Sequence, residues 1–193
     1  QNSIFLLNRT GFYFLAFMGL LLFSCEDAEY SLDNSFDPKN LGLDPPALFF
    51  HPTIVNVTVG NPIEIDLYSY NMDPTAAAYL KIKYDRTIVK LGPDTVVAGD
   101  FFQGDNEPFL YWEEDSSYLD IYLYYLPDMN SDQSSGGTWS LAKIQFIAEQ
   151  TGEFQLKYIT EADAEEEPYT ELRNANNEPV IINDFGTGSI NVE

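Results

Sequence analysis

Cys25 is the only cysteine and His51 the only histidine in the 193 residues. A lone thiol allows no internal disulfide and no metal site built on clustered thiolates. A lone histidine leaves no multi-histidine zinc site, and a histidine-dependent triad would rest on His51, which stands directly before Pro52. Carboxylates are plentiful, with 31 Asp and Glu against 9 Lys and Arg. Two acids at a suitable separation suffice for glycoside hydrolysis, and Glu113 with Asp120 is one such pair. Among so many acids chance pairs are expected, so no catalytic residue is assigned and the chain is read as a non-enzyme. Asp128-Met129-Asn130-Ser131-Asp132 has the spacing that opens a calcium loop. Gln133 stands where an EF-hand needs glycine and Trp139 where it needs a bidentate glutamate. A looser calcium site there, or around Asp100, Asp105 and Glu107, is possible but unsupported, so no metal or cofactor is assigned. Trp112 and Trp139 with Tyr111 have the chemistry of a sugar-stacking platform, although a tryptophan in a strand is more often core.

The net charge of −22 excludes a nucleic-acid binder that works by neutralising phosphates. Residues 11 to 24 form one uncharged apolar run, preceded by Arg9 and ended by Cys25-Glu26-Asp27. A spanning helix needs about 20 apolar residues and a secretory signal about 7 to 15, so residues 1–24 read as a signal peptide. The stretch opens on Gln1 rather than Met and is read as a leader lacking its start.

Leu22-Phe23-Ser24-Cys25 resembles the lipobox of bacterial lipoproteins, with Phe23 bulkier than the usual occupant. The resemblance implies a covalent lipid on Cys25, cleavage just before it, and a protein anchored to the outer membrane or cell surface. Each buried CH₂ adds roughly 0.8 kcal/mol, and durable anchoring needs more than one chain. Glu26 and Asp27 resemble the acidic export signals of surface lipoproteins.

Residues 25–46 are polar and follow neither hydrophobic period, as expected of a flexible acidic linker behind the lipidated cysteine. Residues 47–193 alternate apolar and polar with period two, broken at short intervals by Gly, Pro, Asn and Asp. Core-facing sets are Val55, Val57 and Val59; Ile63, Ile65 and Leu67; Leu80, Ile82 and Tyr84; Leu119, Ile121, Leu123 and Tyr125; Ala142, Ile144, Phe146 and Ala148; Phe154, Leu156 and Tyr158. Further strands are expected over 87–91, 109–113, 179–183 and 189–192. The pattern predicts an all-β fold, a two-sheet antiparallel sandwich with jelly-roll topology and about nine strands.

In order along the chain, several phrases resemble a cohesin domain. Val57-Thr58-Val59-Gly60-Asn61-Pro62-Ile63-Glu64-Ile65-Asp66-Leu67 matches the Val-Gly turn between that family's first two strands. Tyr79 to Leu91 matches an aromatic-rich strand followed by Tyr-Asp-Pro and a Val-Leu strand, with Arg86 in place of the proline. Val97-Ala98-Gly99-Asp100-Phe101-Phe102, Leu141 to Phe146 and Gly186 to Val192 complete the series. The resemblance implies a lipid-anchored surface receptor for a dockerin-type or other protein module. It also implies docking on the open face of one sheet, made here by Tyr79 to Tyr84, Phe109 to Asp115 and Tyr118 to Tyr125.

If Leu80, Ile82, Leu119, Ile121 and Leu123 point inward, pleating turns Tyr79, Lys81, Lys83, Tyr118, Asp120, Tyr122 and Tyr124 outward. A tyrosine and lysine patch on an acidic domain has the composition of an interface. Tyr79, Lys81, Lys83, Asp120, Tyr122 and Tyr124 are therefore the expected partner-binding residues. The alternatives are a carbohydrate-binding lipoprotein of the same fold, with a polysaccharide as its ligand, and a structural envelope protein. A flat exposed row of rings would favour the glycan; tyrosines interspersed with charge would favour protein.

Overall fold

The computed structural model describes residues 38–102, 108–116, 118–125, 134–164 and 168–193, all within the compact unit Ser35–Glu193. A 3₁₀ turn, Pro38–Leu41, precedes strands β1 (Ala47–His51), β2 (Ile54–Val57), β3 (Pro62–Tyr70), β4 (Met72–Thr75) and β5 (Ala77–Lys83). Then come β6 (Val89–Ala98), β7 (Phe109–Asp115), β8 (Tyr118–Tyr124), β9 (Ser135–Gly137) and β10 (Ser140–Ala148). The chain closes with β11 (Gly152–Tyr158), β12 (Glu171–Arg173), β13 (Pro179–Val180), β14 (Asp184–Phe185) and β15 (Gly188–Val192). Among the described residues no helix is long and apolar enough to cross a membrane.

The alternation read from the sequence is what builds the two sheets. One has the order β14-β1-β3-β10-β6. The other runs β13-β12-β5-β11-β15-β2 and extends from β5 through β8 to β7. A small β4-β9 ribbon stands apart from both. Pairing is antiparallel except for β1 with β14 and β2 with β15. The result is an all-β jelly-roll sandwich. Among the described residues it has fifteen strands rather than about nine, because short segments such as β4, β9, β12 and β14 carry too few residues to show a period.

The core lies between the inner faces. Leu48, Phe50, Ile65, Leu67 and Phe146 of the first sheet meet Leu80, Ile82, Leu119, Ile121 and Leu123 of the second, each at most 1% exposed. Full burial of such side chains stabilises by about 1.5–3 kcal/mol apiece. Phe50 stacks on Tyr158 across the sandwich, with ring centroids 4.4 Å apart.

Val59 departs from the expected core set. The β2 strand ends at Val57, Gly60 takes a left-handed φ of +90°, and Val59 is 43% exposed in the turn. The expected strand at residues 87–91 begins only at Val89, because Asp85 caps a turn by accepting hydrogen bonds from the Thr87 N–H and hydroxyl. The end of the expected linker is fastened to the domain. The Asn183 N–H and side-chain amide donate to the Pro46 and Pro45 carbonyls, at 2.7 and 2.8 Å.

Candidate functional site

The outer face of β5, β8 and β7 gathers the predicted residues. Register sets four cross-strand rows: Ala77, Tyr124 and Phe109; Tyr79, Tyr122 and Tyr111; Lys81, Asp120 and Glu113; Lys83, Tyr118 and Asp115. Apart from Glu114, each inner neighbour in these strands is apolar, so core burial fixes which side chains face out.

The aromatic rings lean on one another. Tyr79 and Tyr122 have centroids 4.8 Å apart at 31°, Tyr111 and Tyr122 5.7 Å at 37°, and Phe109 and Tyr124 4.7 Å at 31°. Ring faces are therefore spent on neighbouring rings, and the rows offer edges and hydroxyls rather than a flat platform.

The third row is electrostatic. Asp120 is only 5% exposed. It accepts from the Tyr79 hydroxyl at 2.6 Å and from Lys81 Nζ at 2.9 and 3.2 Å. Lys81 Nζ also lies 4.9 Å from the centroid of the Tyr118 ring, within cation–π range. Burial first, and then the hydrogen bond to Asp120, hold the Tyr79 phenol well above its ordinary range. Tyr122 is raised by burial and by the charges of Asp120 and Glu113. Glu113 accepts from Tyr111 at 3.2 Å and more weakly from Tyr122 at 3.4 Å.

All six expected contact residues thus share one face, but not one role. Lys83 is exposed, whereas Tyr79, Lys81, Tyr122 and Tyr124 are half-buried. Asp120 differs from the expected exposed contact: pleating does turn it outward, but Tyr79 and Lys81 close over it and leave it buried, holding those two side chains. The same engagement removes Asp120 from a pair of free acids with Glu113.

The resemblance placed Phe109 to Asp115 on this face, but none of the outward side chains of β7, Phe109, Tyr111 and Glu113, was named as a contact residue. Sequence reasoning also passed over a cleft of about 220 Å³ beside the tyrosine rows. Ala77 leaves the space, and Tyr79, Tyr124, Tyr169, Glu171 and Arg173 surround it. Arg173 is ion-paired with Glu171. The β12 segment is three residues long, too short for its period to announce these groups.

The tryptophans also differ from expectation. Trp112 is 37% and Trp139 46% exposed, so neither is a core residue. Tyr111 and Trp112 point to opposite faces of β7, and Trp139 lies between β9 and β10, where its carbonyl accepts from the Ser69 N–H. The three do not form one platform. Asp100 is exposed, and no group of three or more metal-ligating side chains occurs among the described residues. Cys25, Asp128 to Gln133, Asp105 and Glu107 lie outside the described residues.

Two facing sheets of this order define a jelly-roll sandwich. Its fold is that of cohesin domains. A type II cohesin from the cellulosome of Acetivibrio cellulolyticus aligns with a TM-score of 0.61 and 14% identity, over 75% of this chain and 94% of its own. A non-cellulosomal cohesin from the archaeon Archaeoglobus fulgidus gives 0.57 and 11%, over 76% and 90%. A chain of a type I cohesin–dockerin complex from Clostridium thermocellum gives 0.58 and 12%, over 76% and 98%. No protein-family model matches the chain, and no curated protein is significantly similar to it.

Proposed function

We propose that this chain is a non-catalytic receptor module that binds a dockerin-type protein domain through the outer face of β5, β8 and β7. The observation that carries the reading is the tyrosine and lysine composition of that face on a cohesin fold, with Asp120 locking Tyr79 and Lys81 in place. Side chains held before binding lose little freedom on binding, which favours affinity. Tyrosines whose faces are already stacked, with Lys81, Lys83 and Glu113 among them, suit a protein surface better than a sugar ring. Cys25 carries the lipid that holds the module at the cell surface, behind a cleaved leader.

Two experiments test this. The purified protein is immobilised and challenged with a panel of dockerin modules and, alongside, a polysaccharide panel. Saturable capture of a dockerin supports the reading; retention of a glycan alone, or of neither, overturns it. For the anchor, the protein expressed in a bacterium that processes lipoproteins should partition into detergent and show an acylated N-terminal cysteine by mass spectrometry, both lost in Cys25→Ala. An unmodified wild-type thiol would exclude the anchor.

A further inference from the structure

We infer that the open edge of β7 is a second binding site, taking up an extended basic peptide segment by strand addition. Backbone direction identifies the free groups. The Lys81 N–H donates to the Thr170 hydroxyl oxygen at 3.0 Å, and its carbonyl accepts from the Ile159 N–H at 2.8 Å, so this peptide turns away from β8. An antiparallel ladder alternates, so Asp120, opposite Lys81, directs its own N–H and C=O to Glu113 on β7. On β7 the residues between, Leu110, Trp112 and Glu114, therefore point their N–H and C=O groups outward. Glu114 bears this out: the residue is exposed although its side chain is only 25% exposed, so the open part is backbone.

The other sheet edges are guarded. Strands β13 and β14 have two residues each, and β13 begins with Pro179. The β2 strand has four residues, while β6 contains Pro93 and its pairing with β10 shifts register. Short strands, proline, irregular register and inward-pointing charge are the usual protections of an edge, and of these β7 carries only the last, in Glu114, which Arg86 neutralises. The β7 strand runs seven residues, Phe-Leu-Tyr-Trp-Glu-Glu-Asp, in unbroken register with β8 and with neither proline nor lysine. Among the described residues it pairs with β8 alone.

Charge selects the occupant. Arg86 engages Glu114 at 2.7 Å, leaving Glu113 and Asp115 on the outer face without a cation partner among the described residues. A second copy of the chain would bring another net charge of −22 to this edge. An incoming strand with lysine or arginine at alternate positions instead sets a cation beside Glu113 or Asp115, at the roughly 5 Å spacing of cross-strand neighbours. Its apolar residues, on the other side of the pleat, would meet Leu110 and Trp112.

The test uses the whole protein and a short fluorescent peptide alternating valine and lysine. Controls are the same peptide N-methylated at alternate positions and a version with glutamate for lysine. Saturable binding of the basic peptide below about 1 mM is expected in low salt, weakened at least tenfold by N-methylation and absent with glutamate. Amide hydrogen exchange should slow at Leu110, Trp112 and Glu114. Trp112→Pro removes the central outward N–H and should abolish binding; wild-type exchange keeps the test valid if that variant unfolds. Equal binding of the N-methylated peptide, unaltered exchange at the three amides, or self-association of the chain in place of peptide binding would each overturn the site.

Discussion

The Tyr79 hydroxyl reaches Asp120, 41 positions away in sequence, at 2.6 Å, and lies on the same face of the sheet as Lys81, which holds the same carboxylate. A nearly buried charge is stable only while its partners remain. Tyr79→Phe keeps the ring against Tyr122 and removes the donor. It should cost about 1.5–3 kcal/mol, the usual worth of a hydrogen bond to a charged group. Urea unfolding checks this, and an unchanged midpoint would show that Asp120 is satisfied without Tyr79.

Gly99→Ala tests the corner where β6 leaves its sheet. A Cβ at Gly99 would lie 2.2 Å from the Ser140 carbonyl oxygen, and backbone bonds at 2.9 and 2.7 Å tie Gly99 and Phe101 to Leu141 and Ser140. The clash is with backbone, which cannot swing aside as a side chain does. Destabilisation of about 1–3 kcal/mol is expected, read as a lower melting temperature at unchanged secondary structure.

Lys83→Glu and Tyr111→Ala test the proposed face with little structural cost. Lys83 is exposed and Tyr111 is 49% exposed at the end of its row, so stability should change by less than about 0.5 kcal/mol for each. Dockerin capture by the double variant should fall at least tenfold. Tyr122→Ala would be a poorer probe, because Tyr122 is packed between Tyr79 and Tyr111 and its loss disturbs both. Full capture by the double variant would remove this face from consideration.

The sandwich was legible because its long strands alternate cleanly: Leu80 and Ile82, or Leu119, Ile121 and Leu123, announce both strand and facing. That same inference set Tyr79, Lys81, Lys83, Asp120, Tyr122 and Tyr124 on one surface. It failed where alternation says nothing of what lies above the sheet. Asp120 occupies an outward position and yet is buried, since burial there is decided by two long neighbours and not by pleat. The tryptophans failed for a related reason: Trp112 lies on the inner side of an edge strand, where the core no longer covers it. The cleft around Ala77 and Arg173 joins segments nearly a hundred positions apart, a juxtaposition no local pattern encodes.

Alkaline titration gives the last test. Tyr158, raised by burial alone, and Tyr79 and Tyr84, raised by burial and by hydrogen bonds to Asp120 and Glu114, all resist ionisation in the folded state. Unfolded tyrosines release their protons near pH 10. With folded values above unfolded ones, the unfolded chain binds fewer protons once pH exceeds about 10. The tyrosines' contribution to stability is therefore intact below that pH and declines as pH rises beyond it. Absorbance at 295 nm should show a fraction of the 13 tyrosines ionising normally and the remainder only together with loss of tertiary structure. If all 13 titrated in one step near pH 10 while the near-ultraviolet dichroism of the fold persisted, the burial of Tyr84 and Tyr158 and the hydrogen bond of half-buried Tyr79 to Asp120 would be wrong.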